Sequence, residues 1–237
     1  MIKKSFLWII VITSLIFICF EIVTFFQTML YSEVAMVPGE EDIVIRNKDS
    51  ACNELTFTCN VDWGEDIIPE MLKIFDEKDI KITFFVSGKW AKNNPYLLRK
   101  MYISGHEIQN HGYRHKLCSK ISSKEVKEEI LSTEDAINNL IGIKTTVFAP
   151  PAGDYDKKTV ELCREMGYLL SLWSSDTIDW KEGSTSNIIT ERILQKPLKG
   201  AIILMHPKEE TVKALPRLID EIQNQGIKIV SLNELIH

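Results

Sequence analysis

The chain has 237 residues, 45% of them hydrophobic and 26% charged, the make-up of an ordinary folded domain or two. Its 33 acidic and 28 basic side chains leave a formal net charge of −5. That balance excludes the basic face a nucleic-acid partner requires and leaves neutral or cationic partners and small molecules.

Residues 1–31 stand apart. Lys3 and Lys4 precede an apolar run from Phe6 to Phe20, which Glu21 interrupts and which resumes from Ile22 to Phe26. A cationic flank before a membrane-length segment predicts an uncleaved signal anchor, single-pass, with the rest of the chain outside the cytoplasm and the membrane as a partner. The stretch Tyr31-Ser32-Glu33-Val34-Ala35 is a poor cleavage site. Residues 32–52, with Pro38-Gly39-Glu40-Glu41-Asp42, read as a linker, and the domain is expected over 53–237. Outside the anchor lie Cys52, Cys59, Cys118 and Cys163; no pair has zinc-ribbon or redox spacing, and no disulfide is expected.

From there strands and helices alternate. Leu55–Cys59 reads as a buried strand, followed at helical spacing by Ile67, Ile68, Met71, Leu72, Ile74 and Phe75. Ile82–Val86 is the next strand; Asn94-Pro95 opens a helix that Gly105 closes, and Glu107–Asn110 is a short strand. Ser122 with Glu125 forms a capping box inside an Ile121/Val126 staple, and that helix stops at Gly142. Thr145–Ala149 is a strand ending in the loop Pro150-Pro151-Ala152-Gly153. A helix from about Lys157 to Met166 stops at Gly167, and Tyr168–Trp173 is again a strand. A helix over Ile188–Gln195, a strand over Ala201–Met205, a helix over Thr211–Gln225 broken at Pro216 and a strand over Ile227–Val230 complete the order.

About seven βα units with continuously apolar strands predict an α/β fold with a parallel sheet, open or closed. Asp62, His111 with His115, Asp176 with Asp179, and His206 each fall just past the C-terminal end of a different strand. Those ends converge in a barrel, so a parallel, distorted or incomplete (β/α) barrel is expected. His111 and His115 share one face if the chain after Asn110 coils helically, where they can hold a cation; the other reading of the pair is polar loop residues.

Four segments, in order from about Leu55 to Ile236, resemble the polysaccharide deacetylases, the NodB-type catalytic domain of carbohydrate esterase family four. They are Thr83-Phe84-Phe85, His111-Gly112-Tyr113-Arg114-His115, Asp176-Thr177-Ile178-Asp179-Trp180 and Leu204-Met205-His206. The resemblance implies removal of N-acetyl groups from a glycan such as peptidoglycan. It also implies a divalent metal on His111, His115 and Asp62, zinc in the first place and cobalt as the alternative. His206 is implied as general acid, Asp179 as its orienting carboxylate, Asp62 as ligand or base, and Trp180, Pro150 and Leu204 as substrate contacts. The family's opening Thr-Phe-Asp-Asp is Thr58-Cys59-Asn60-Val61 here in the best register and Thr56-Phe57-Thr58-Cys59 in the other, so base and ligand carboxylates are replaced in either, and its loop arginine is Ala149. A membrane-anchored glycan-binding protein without turnover is the alternative function. Oligomeric state is left open.

Overall fold

The computed structural model describes Glu40 and residues 42–237; the anchor expected over 1–31 lies outside them. Among the described residues no helix is long and apolar enough to cross a membrane.

Among the described residues nine strands form one sheet. They are β1 (Val44–Ile45), β2 (Glu54–Val61), β3 (Thr83–Val86), β4 (Glu107–Asn110), β5 (Val147–Phe148), β6 (Leu169–Ser171), β7 (Ser175–Asp176), β8 (Ile202–Met205) and β9 (Lys228–Ile229). The order is β1-β6-β5-β4-β3-β2-β8-β7, with β9 beside β2, and the strand pairings are parallel. The helices are α1 (Ile68–Glu77), α2 (Gly88–Asn93), α3 (Pro95–Ile103), α4 (Ser123–Ile141), α5 (Lys157–Met166), α6 (Ser186–Leu194), α7 (Glu209–Asn224) and α8 (Leu232–Ile236). The fold is the expected distorted (β/α) barrel, curled but hardly closed. One antiparallel bridge, Asn47 to Ala201, spans the seam between β1 and β8. Gly200 at that seam has φ +74°, and a Cβ there would lie 2.3 Å from the Lys48 carbonyl oxygen, so the closure requires glycine.

Three expectations need correction. The domain begins before residue 53: Val44 and Ile45 pair with Leu170 and Ser171, and buried Glu40 meets Arg46 at 3.0 Å, so this stretch is built into the sheet rather than a linker. A two-residue strand is too short for a periodic signal. Pro216 does not break its helix; Val212, Leu215, Leu218, Ile219 and Ile222 on one buried face outweigh the roughly 3 kcal/mol a mid-helix proline costs. The expected strand over Tyr168–Trp173 ends at Ser171, and within three residues the chain steps over the seam to form β7 beside β8 at the other edge of the sheet.

The punctuation residues act as expected. Ser122 and Glu125 form the capping box of α4, and Gly142 and Gly167 end α4 and α5 in left-handed conformation. Side-chain alternation then fixes what faces where. Leu55, Phe57, Cys59 and Val61 of β2 and Ile203 and Met205 of β8 enter the core between sheet and helices. Phe85, Val147, Ala149 and Ile202 cluster on the inner face.

His106, just ahead of β4, is buried in the outer core with Phe75 and Phe84 edge-on at 5.5 and 5.3 Å, and its Nδ1 accepts from the Ile82 N–H at 3.2 Å. Burial, with the Lys81 charge adding to it, lowers its pKa from 6.5 to about 4. The folded protein thus holds this ring neutral while the unfolded chain protonates it below pH 6.5. Stability is full above that pH and falls by about 3 kcal/mol as pH drops from 6.5 to 4. Urea unfolding of the parent chain and of His106→Phe at pH 7 and pH 4 checks this: the variant is expected to show a shallower fall. Equal falls would count against it.

Candidate active site

The inner-face alternation, continued past the strand ends, points Asn60 (in β2), Asp62 (after β2), His111 (after β4), Ala149 (after β5) and His206 (after β8) to one mouth. Val61 goes the other way: it has 0% exposure, within the core against the helices.

His111 and His115 come together without a helix. The chain after Asn110 is an irregular loop in which His115 takes φ +56°, and the two rings meet edge to face with centroids 5.0 Å apart. Other groups shape the loop. The Asn110 carboxamide accepts the Gly112 N–H at 3.0 Å and donates to the Ile130 carbonyl at 2.8 Å. Buried Glu129 of α4 accepts the Arg114 N–H at 2.5 Å, and the Gly88 and Lys89 N–H groups hold the Gly112 and Tyr113 carbonyls. His111 Nδ1 lies 2.8 Å from the Ala149 carbonyl oxygen, to which it donates, leaving Nε2 bare. Burial, with the His115 ring adding to it, pushes the His111 pKa down to about 3, so the imidazole is neutral, the form a metal binds.

Two imidazoles so placed suit a divalent ion, but a catalytic zinc ordinarily takes three protein ligands. Among the described residues no group of three or more His, Cys, Asp or Glu side chains is disposed to hold a metal. The expected third ligand has a partner of its own: Asp62 Oδ1 accepts the Ser87 hydroxyl at the head of α2, and the same hydroxyl caps that helix through the Trp90 N–H. The donor set therefore fits a metal in two positions and is unfilled in the third.

His206 and Asp179 form the best-built part of the site. His206 Nδ1 is 2.7 Å from Asp179 Oδ1, while Asp179 Oδ2 accepts the His206 N–H and the Thr211 hydroxyl, each at 2.7 Å. Burial works to raise the Asp179 pKa, but the hydrogen bonds from His206 and Thr211 prevail and hold it below the usual carboxylate range. The segment that delivers Asp179 is strained. Ile178, a β-branched residue, has φ +52°, and it is held there by its N–H to Asp176 Oδ1 at 2.7 Å and by the Ser184 hydroxyl on its carbonyl at 2.7 Å. Such a conformation costs about 1–3 kcal/mol and persists where surrounding bonds over-determine it.

The expected substrate contacts fare differently. Trp180 is 58% exposed beside Asp179, offering an aromatic face. Pro150 is buried after β5, and Leu204, 3% exposed on the inner face of β8, gives a sugar almost no surface. Trp63 was not singled out by the sequence reasoning. It is 41% exposed and stacks on His206 at 6.3 Å and 11°, with Lys208 Nζ 4.8 Å above its ring. A cleft of about 420 Å³ opens there, lined in part by Trp63, Asp179, Pro207 and Lys208. Gly64, next to Trp63, has φ +93°, and a Cβ would lie 2.4 Å from Pro207, so glycine at 64 lets the aromatic lie against the His206 loop. The tryptophan-glycine pair after Asp62 was the available signal.

The sequence pattern of the family described as polysaccharide deacetylase matches residues 47–171. The uncharacterized protein YlxY of Bacillus subtilis is 36% identical over 77% of this chain and 57% of its own length. A Bacillus cereus protein named peptidoglycan-N-acetylglucosamine deacetylase is 29% identical over 76% of this chain and 68% of its own length. The chain thus spans little more than half of the first relative and about two thirds of the second. Among solved structures, one described as a CE4 family pseudoenzyme from Bacillus anthracis superposes with a TM-score of 0.79 and 31% identity, covering 82% of this chain and 69% of that one.

Proposed function

Because the chain belongs to the polysaccharide deacetylase family, we propose that it removes N-acetyl groups from an N-acetylglucosamine-containing glycan, peptidoglycan in the first place. The observation that carries this reading is the His206–Asp179 pair, built and held as a proton donor at the mouth that His111 shares. Asp179, ionised, accepts from Nδ1–H and so favours the doubly protonated ring, whose second proton, on Nε2, is the transferable one. Water adds to the acetyl carbon, giving up a proton to Asp62 or to solvent, and the His206 proton passes to the sugar nitrogen as the C–N bond breaks, so the amine leaves neutral and acetate is the other product. Trp63 and Trp180 flank the dyad as aromatic faces on which a sugar ring can stack.

A divalent metal, zinc with cobalt as the alternative, belongs to this reading with His111 and His115 as donors; bound there it would lower the pKa of a water toward 7. Asp62 completes the reading as ligand or as base. The variant Asp62→Asn separates the two: metal occupancy falls if it is a ligand, whereas occupancy holds and turnover falls if it is the base. Unchanged occupancy and unchanged rate would remove Asp62 from the site. Residues 1–31 are assigned as a membrane anchor that keeps the domain outside the cytoplasm, a reading that rests on Lys3, Lys4 and the apolar run after them.

A second reading is a glycan-binding protein without turnover. It is supported by Asn60 and Val61 where the family resemblance calls for carboxylates, by Ala149 in place of the arginine, and by the similarity to a protein described as a pseudoenzyme. Acetate release from N-acetylglucosamine oligomers, with zinc or cobalt supplied, decides between them. The first reading expects release above a His111→Ala control. Release no higher than that control, with glycan binding intact, establishes the second.

A further inference from the structure

Three large apolar side chains that the fold leaves in solvent lie on one short helix. Tyr96 is 79% exposed, Tyr102 41% and Ile103 80%, all on α3, which buries Leu97, Leu98 and Met101 on its other side. They edge a groove of about 640 Å³, to which Leu140 and Ile141 at the end of α4 add further apolar surface. A contiguous patch of this kind marks a partner. Its rim says which. Arg99 and Lys100 line the groove, Lys81 lies against Gly105 just beyond it, and among the described residues that line it none is acidic, in a chain whose net charge is −5. Arg99 Nε donates to the Leu140 carbonyl at 3.2 Å, which fixes its guanidinium at the groove. Tyrosines, an isoleucine and cations on one rim have the composition of a lipid–water interface, where aromatic rings sit among the headgroups and cations meet their phosphates.

The patch also lies where lipid would be. The helices α3 and α4 return toward the N-terminal ends of the strands, so Ile103 and Ile141 stand at the opposite end of the sheet from the mouth that His111 and His206 share. The chain enters the sheet at that same end, where the Ile43 carbonyl accepts the N–H of Leu170 beside the first residue of β6. Residues 32–39 separate Glu40 from the segment assigned as the anchor, a reach of at most about 29 Å when fully extended. So short a tether holds the domain at the bilayer.

We propose that Tyr96, Tyr102, Ile103 and Lys100 form a second membrane contact, which seats the domain on an anionic lipid surface with its mouth turned away from the bilayer toward the polymer. This rests on the anchor reading above and adds an orientation to it.

The test is photo-cross-linking of the full-length chain reconstituted into vesicles of equal parts phosphatidylglycerol and phosphatidylcholine. Benzoylphenylalanine replaces Ile103 or, as a control, Ile188, which is 45% exposed at the start of α6 on the mouth side. Lipid cross-links at 103 are expected to exceed those at 188 severalfold. Lys100→Gln should lower the yield at 103 about fivefold, the worth of one cation at an anionic surface, and change it little in vesicles of phosphatidylcholine alone. An equal loss in both vesicles overturns the role of Lys100. A chain that floats with the vesicles but cross-links at 103 to a second copy, to its own residues 1–38, or to no more lipid than at 188 overturns this inference and leaves the anchor standing. A chain that does not float overturns both.

Discussion

Replacing His206 by alanine is expected to cut acetate release from N-acetylglucosamine oligomers by roughly 10²–10⁴-fold, the usual worth of a positioned general acid. An amide expels its nitrogen badly unless that nitrogen is protonated, and His206 is the group at the mouth with its other ring nitrogen committed to a buried carboxylate. Asp179→Asn should lose much of the same factor, because a neutral carboxamide no longer stabilises the doubly protonated ring that donates from Nε2. An aryl acetate, whose leaving group departs without a proton, separates chemistry from folding: its hydrolysis should change little in His206→Ala. Equal losses on amide and ester would mean that His206 acts through structure rather than as an acid.

The next largest effect is a gain. Asn60→Asp places a carboxylate where the family resemblance implies the base, and acetate release should rise by roughly 10²-fold or more. That carboxylate would be buried without a cation, so its own pKa should be raised and the gain should grow with pH. Adding Ala149→Arg supplies the missing partner, keeps the carboxylate ionised and should flatten that pH dependence. Val61→Asp is not an equivalent repair, because the Val61 side chain packs in the core against the helices and a charge there would be buried without a partner.

Much of the fold was legible because its signals are local. A serine and a glutamate three residues apart started α4, glycines ended α4 and α5, and apolar runs marked the central strands. The site was legible as residue types at strand ends, which the barrel gathers whatever the loops do. What escaped depends on long-range contact. Two-residue β1 and β7 exist only through their partners, Pro216 is overruled by the face it interrupts, and His115 meets His111 through Asn110, Glu129 and a left-handed backbone rather than a helical turn. The Ser87 hydroxyl that hydrogen-bonds Asp62 comes from the N-cap of α2, 25 residues away, where no sequence spacing reveals it. Trp63 became visible as a site residue only when its ring was found against His206.

The central claim is that this chain keeps the acid half of a deacetylase and lacks a complete water-activating half. It is tested most directly by acetate released from chitotetraose by Asn60→Asp and by the Asn60→Asp, His206→Ala double variant. The account predicts release well above the parent in the first and its loss in the second. No gain in Asn60→Asp, with fold and oligomer binding intact, or a gain that survives the removal of His206, would contradict it.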